Sequence, residues 1–306
     1  MKHALRHSLT DYFLFGNLFY GVCATALSIE AAFQLQVPLN NPVFYMILFS
    51  AATVYYTYAY INENYVDPHN KRSVWYATHR KTVLYSQVIF TMLAIAGSIY
   101  LLVRYYYGFT IIPWSQWLIA LLFPLVAAFY YDIPLLRVFS LNLRRTGWMK
   151  PFIIGFVWAG VVTIYPILWK EIESDTLYPF AIMTGWLIVK NWMYITILCI
   201  MFDIKDYASD SNHHVKTFVV RVGLRKTIFN IIIPLVIMGL ASLILFALLM
   251  NFKPLRVLLN VPPFLLLLVV SYSLQSRRNI LYYLTVIDGL MLVKALFGIL
   301  ASVLVK

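Results

Sequence analysis

Runs of apolar residues long enough to cross a bilayer recur along the entire chain, and they constrain its fold more than any other feature. Crossing the hydrocarbon as a helix takes roughly 20 apolar residues. About nine segments qualify on that measure, near residues 10–35, 42–66, 83–103, 110–131, 150–169, 178–202, 227–250, 257–274 and 280–304. The composition agrees, with 62% of residues hydrophobic and 12% charged, against nearer half and a quarter in soluble domains. No small-residue cleavage pattern follows the first run and Glu30 lies within it, so it reads as a retained helix rather than a secretory signal. The expectation is an all-α, multi-pass integral membrane protein, a single domain over residues 1–306 with no soluble domain, linker or low-complexity tract between its helices.

The net charge of +12 is a topology signal, not a nucleic-acid footprint. With the N-terminus in the cytosol, seventeen of the 24 lysines and arginines flank helices on the inner side and five on the outer side. Positive flanks stay inside, which orients the chain in a plasma-type or energy-transducing membrane and leaves anionic lipid or an anionic substrate as a second use for the charge. The remaining two, Lys190 and Lys294, fall inside helices. The long polar connections, near residues 67–82, 132–150 and 204–226, all lie on the inner face, where a site is expected. On the outer side "KEIESDTLYP", Lys170 to Pro179, reads as a solvated turn. Cys23 and Cys199 lack any metal-ligand spacing and read as packing residues.

Carboxylates are rare in this chain, and they cluster. "FDIKDYASDSNHHVKTFVVRVG", Phe202 to Gly223, carries Asp203, Asp206 and Asp210. At about 100° per residue these three project within about 60° of one another if the helix continues that far. "INENYVDPHNKR", Ile61 to Arg72, echoes the pattern four helices earlier, with Glu63, Asn64 and Asp67 on one face and Lys71 and Arg72 following. The echo suggests two four-helix halves followed by a ninth helix. Carboxylates at a helix C-terminus face the negative pole of its dipole, so a cation should offset them. Either Lys71, Arg72, Lys205, Lys216 and Arg221 form interfacial salt bridges, or a divalent metal is held. Magnesium takes oxygen ligands and is commonly held by one or two carboxylates plus substrate phosphates. A Mg²⁺-bound diphosphate would satisfy the interleaved acids and bases of both segments.

The second segment resembles the second aspartate-rich motif of the UbiA-type intramembrane prenyltransferases. Asp203, Asp206 and Asp210 stand in the register D-x-x-D-x-x-x-D, Lys216 and Thr217 follow, and a short apolar run ends in Arg221 and Gly223. The stretch "YYDIPLLRVFSLNLRRTGWMKP" is similar to the family's Tyr-x-x-Pro-x-x-basic segment. The first motif departs from the family's N-x-x-x-D-x-x-x-D: Asp67 is its last aspartate, Glu63 replaces the middle one, and Ala59 stands at the asparagine, with Asn62 or Asn64 as partial substitutes. The resemblance implies a UbiA-like helix bundle and Mg²⁺-dependent transfer of a prenyl group from an isoprenyl diphosphate to a lipophilic acceptor, aromatic or a quinone precursor. It further implies Asp206 and Asp210 as principal metal ligands, Asp67 and Glu63 at a second metal, and Asp203 as ligand or support. Lys71, Arg72, Lys216, Arg221 and Asn64 would then meet the substrate.

Other polar residues keep two readings. All six histidines lie on the inner face, and the pair His213 and His214 sits in the motif loop as polar loop residues or as proton acceptors. Asp132 is either a cavity-mouth acid or a helix-end residue. Lys190, Asp288 and Lys294 are costly in a bilayer and so are functional candidates, unless the lysines snorkel or pair with Asp288. Two other functions fit the chain: a UbiA-like lipid-binding protein without catalysis, supported by the altered first motif, and an ion-coupled transporter built on the intramembrane charges. A transporter concentrates polar groups at the midplane, whereas these acids gather at helix ends.

Overall fold

The computed structural model describes residues 2–61, 70–130, 147–178, 181–212 and 217–305, with side chains outside the description at residues 2–8, 59, 130 and 208–212. All regular structure among the described residues is helical, as hydrocarbon demands, since a backbone amide there has no water to bond. Seven helical stretches are long and apolar enough to span a membrane: Leu18–Leu35, Arg80–Arg104, Gly147–Ser174, Ile182–Tyr207, Leu224–Leu249, Pro254–Ser273 and Ile280–Val303. The protein is thus a multi-pass membrane protein. The expected nine spans include two further helices outside this set, Pro42–Ile61, whose five tyrosines dilute its hydropathy, and the shorter Trp114–Tyr130.

The chain forms two compact units. The first comprises residues 1–26, 40–111 and 172–175. It contains α1 (Lys2–Phe15), the start of α2 (Leu18–Leu35), α3 (Pro42–Ile61), α4 (Lys71–Thr78), α5 (Arg80–Arg104) and α6 (Gly108–Ile111). α3 packs along α5, where Gly97 lies against the Ile47 side chain. The outer face of α5 leaves Tyr85, Met92 and Val103 exposed, as a lipid-facing helix does.

The first apolar run is two helices rather than one, because Asn17 adopts φ 61° between α1 and α2. Asparagine tolerates that left-handed conformation better than most residues, and its amide repays the break. Asn17 Nδ2 donates to Thr57 Oγ1 and to the Tyr76 hydroxyl, both at 3.0 Å, while Tyr76 donates to the Phe15 carbonyl at 2.7 Å. The polar stretch before α5 likewise contains an unexpected helix. Asn70 caps α4 by accepting from the Arg72 backbone N–H at 3.0 Å, and Arg72, Trp75 and Tyr76, at i, i+3 and i+4, form its buried face.

The second unit comprises residues 27–39, 112–171 and 176–306. After α7 (Trp114–Tyr130) come α8 (Lys150–Ser174), α9 (Ile182–Asn212), α10 (Phe218–Val222) and α11 (Leu224–Lys226). A π-helical stretch, Thr227–Ile232, continues into α12 (Ile233–Leu249). α13 (Pro254–Asn260), α14 (Pro262–Ser273) and α15 (Ile280–Tyr282) follow, and a second π-helical stretch, Tyr283–Ile287, leads into α16 (Gly289–Val303). Phe123, Ile164 and Leu168 make one core between α7 and α8, closed by Tyr165 donating to the Ala120 carbonyl at 2.7 Å.

The acidic stretch from Lys170 is a solvated turn only in part, at the exposed Asp175, Thr176 and Leu177. α8 continues to Ser174, which carries Glu171 into the interior of the second unit, where its carboxylate accepts from Gln116 Nε2 at 3.3 Å and the Tyr178 backbone N–H at 2.8 Å. In the first unit Glu173 accepts from the Asn41 N–H at 2.8 Å. These carboxylates serve orphan donors at chain turns.

Close helix approach predicts where bulk is intolerable. A Cβ on Gly108 would lie 2.0 Å from the Ile172 carbonyl oxygen, a backbone atom without freedom to yield, whereas one on Gly185 would meet nothing within 4 Å. Gly108→Ala is expected to lower stability by about 1–3 kcal/mol, and Gly185→Ala not to lower it. Thermal unfolding of both variants in one detergent checks the contrast.

Candidate active site

The spacing of the three aspartates requires one continuous helix, and α9 runs unbroken through Asn212. Their environments nevertheless differ. Asp203 is buried at 4% exposure, and Lys150 Nζ, at the start of α8, donates to its Oδ1 at 3.3 Å. Asp206, nearer the helix end, is half exposed, with Lys205 Nζ 3.3 Å from its Oδ2. Asp210 lies in the last turn of α9, with its side chain outside the description. The inner acid is thus tied into the protein and the next one faces outward.

Beyond the helix end the chain folds back. Lys216 and the histidines at 213 and 214 lie outside the described residues, but α10 packs on α9 and on the turn Gly147–Met149. This places the exposed Arg221 over the Trp148 ring at 5.7 Å, and Phe218 edge-on to Phe152 at 5.7 Å. Gly223 makes the turn from α10 into α11 possible: its φ of 89° is open to glycine and strained for other residues. The Gly223 carbonyl accepts from both the N–H and the hydroxyl of Thr227 at 2.9 Å. The arginine and glycine of the motif therefore divide the work, one presenting charge and the other turning the backbone.

A further wall comes from the last span. The π-helical stretch packs on α9, with the Phe202 and Tyr283 rings 5.6 Å apart. Asp206 and Arg278 lie within electrostatic reach of Tyr283, and Asp203 and the buried Asp288 within reach of Cys199. Asp203, Asp206, Lys150, Lys205 and Arg221 are thereby gathered around one end of α9. Sequence reasoning missed Lys150 and Tyr283. A basic residue opening the helix after a polar loop was the available signal for Lys150, whereas nothing in the sequence marks a π-helical stretch.

The first motif is only partly described. Glu63, Asn64 and Asp67, with Asn62, lie outside the described residues, as does Asp132. Lys71 opens α4 and is exposed. Arg72, a candidate for the substrate's phosphates, is buried at 4% exposure: its guanidinium donates to Asn17 Oδ1 and stands 3.9 Å over the Tyr60 ring. Burial pushes the Tyr76 phenol up, and the neighbouring Arg72 pulls it partly back. In the first unit Arg72 therefore ties α4 to the break at Asn17. Among the described residues no three His, Cys, Asp or Glu side chains come together as a metal cluster; the all-carboxylate donor set of α9 nonetheless has the chemistry of a hard, oxygen-preferring cation.

The intramembrane lysines are satisfied differently from expectation. Lys294 pairs with Glu30 rather than Asp288, and Lys190 donates to Asn260 Oδ1 at 3.1 Å. Glu30 is the residue the sequence undervalued.

The two lysine contacts on the α9 acids should differ in worth. Lys150→Met leaves a carboxylate buried, and a charged hydrogen bond contributes about 1.5–3 kcal/mol. Lys205→Met loosens a partly exposed pair, of the kind that contributes about 0–1 kcal/mol. Chemical denaturation of the two variants is expected to place Lys150→Met clearly below Lys205→Met.

No protein-family model matches the chain, and no curated protein matches it in sequence. A solved structure matches it in fold: one from a study of digeranylgeranylglyceryl phosphate synthase in membranes is similar over 97% of this chain and 99% of that one, with a TM-score of 0.55 and 14% sequence identity. At that identity the likeness is one of fold, an all-helical membrane bundle shared over nearly the whole of both chains.

Proposed function

We propose that this chain is a Mg²⁺-dependent intramembrane prenyltransferase, which moves a prenyl group from an isoprenyl diphosphate to a lipophilic acceptor of aromatic or quinone-precursor type. The observation that carries this reading is the end of α9, where a helix-borne row of aspartates meets Lys150 and Lys205, and where α10, which bears Arg221, packs on the same helix. The similarity of fold to a digeranylgeranylglyceryl phosphate synthase supports it.

The reaction breaks the bond between the allylic carbon and the diphosphate oxygen, with the electron pair leaving on the diphosphate. The acceptor nucleophile then bonds to that carbon and releases a proton. Mg²⁺, when bound, neutralises charge growing on the departing diphosphate. Asp206 and Asp210 are its principal holders, and Glu63 and Asp67 serve a second position. Asp203, held by Lys150, keeps the row in place. Arg221, Lys216 and Lys71 supply preorganised positive charge for the phosphate oxygens, which is worth most where water is excluded. Glu63 retains a carboxylate on a longer arm, so the first motif keeps its charge despite Ala59. In this reading the N-terminus and both motifs face the cytosol.

Binding of a panel of prenyl diphosphates to the purified protein, with and without Mg²⁺, is the direct test. Asp206→Asn and Glu63→Gln are each expected to weaken Mg²⁺-dependent binding at least tenfold, or about 1.4 kcal/mol. Absence of binding by the unmodified, folded protein would remove the enzyme and leave a non-catalytic relative.

A further inference from the structure

The opposite part of α9 carries charge of the other sign. Lys190 precedes Asp206 by sixteen residues, roughly 24 Å along a helix axis, and is 6% exposed. Around it, within electrostatic reach, are Lys294, Glu30 and Arg256, three cations and one carboxylate counting Lys190 itself. A buried ammonium in a bilayer needs a compensating anion or a strong acceptor set.

The carboxylate is already committed. Glu30 Oε2 accepts from Lys294, and its Oε1 accepts from Gln34 Nε2 at 2.6 Å. Lys190 receives instead the side-chain oxygen of Asn260, whose amide is fixed in that direction because its Nδ2 donates to the Arg256 carbonyl at 2.9 Å. Each ammonium has three donors; each of these lysines gives one hydrogen bond to the protein, and beyond it Lys190 stands 5.0 Å from the Trp186 ring and Lys294 5.9 Å from the Tyr194 ring. Among the described residues no carboxylate pairs with Lys190. The network reaches the surface at Arg256, which is half-buried and donates to the Gln34 carbonyl at 3.3 Å.

From this geometry we infer a second site, in which Lys190, Lys294 and Arg256 bind the phosphate or carboxylate group of an anionic ligand that enters past Arg256. Glu30, to which Gln34 donates, holds Lys294, Asn260 and the Trp186 ring hold Lys190, and the cations of this cluster outnumber its one committed acid. The ligand chemistry is an oxyanion; its source is a lipid headgroup or a free anion. The site is distinct from the aspartates of α9 and needs no Mg²⁺.

The test is thermal unfolding of the full chain in neutral detergent containing EDTA, which removes any metal-dependent anion binding. Phosphatidylglycerol, compared with phosphatidylcholine, is expected to raise the unfolding temperature by about 2–4 °C. Lys190→Gln should lose this shift and Lys190→Arg should keep it. Arg256→Gln, at the half-exposed entrance, should lose at least half of it and serves as the deciding variant if Lys190→Gln does not fold. Inorganic phosphate reproducing the shift identifies a soluble anion, and a response to phosphatidylglycerol alone identifies a lipid headgroup. No shift with either, or a full shift retained in the glutamine variants, overturns the site. Prenyl diphosphate binding is absent from this readout, so the two readings stand or fall separately.

Discussion

A polar group carried into hydrocarbon must find its partner within the protein, and the rest of this structure follows from that constraint. The backbone meets it by forming helices. Polar side chains meet it locally, as Ser271 does on the Leu267 carbonyl and Thr25 on the Gly21 carbonyl, or across helices, as Asn191 does on Thr163 at 2.8 Å. The ion pair of Glu30 and Lys294 is the costliest case. A buried pair contributes little net stability, since desolvation offsets the attraction, but loss of one partner strands the other. Joining positions 264 residues apart, it acts within the second unit as a register constraint: few other placements of the last span would leave neither charge alone.

The same reasoning explains how α9 holds opposite charges at its two ends. Aspartates near a helix C-terminus oppose its dipole, so something outside the helix must retain them there. Lys150 does so for Asp203 from the start of α8, and the exposure of Asp206 leaves it hydrated and available. At the other end, Asn260 accepts from Lys190 and Glu30 from Lys294. A single helix thereby separates an acidic end from a basic interior without any long-range balance between them.

What could be read in the sequence was whatever is local. Apolar runs locate spans, because transfer into lipid is nearly additive along a segment, and the aspartate row is legible because helical spacing turns positions into a face. Partnerships were not legible. Asn17 looks like an interruption of an apolar run until Thr57, Arg72 and Tyr76 are seen around its amide. Arg72 looks like a substrate ligand for the same reason, since its burial under Tyr60 depends on a cap at Asn70 and a helix break far upstream. Glu171 was assigned to solvent because the end of α8 was placed several residues early, and a helix end misplaced by one turn moves a carboxylate from surface to interior.

The distance between likeness of fold and likeness of sequence has a physical origin of its own. Lipid-facing and helix-packing positions accept many apolar residues of suitable volume, so a bundle can persist while identity falls to 14% over nearly the whole chain. Charges in the interior have no such freedom, because each must be matched by position as well as by sign. The residues that distinguish this protein within its fold are therefore the polar ones, and they separate into two kinds. Arg72, Glu171 and Glu30 are buried on groups of the protein, whereas Asp206 is exposed and Lys190 gives a single hydrogen bond to the protein. The second kind is where a ligand has something to gain, which is why function is sought at the two ends of α9 rather than along the apolar surfaces that fix the fold.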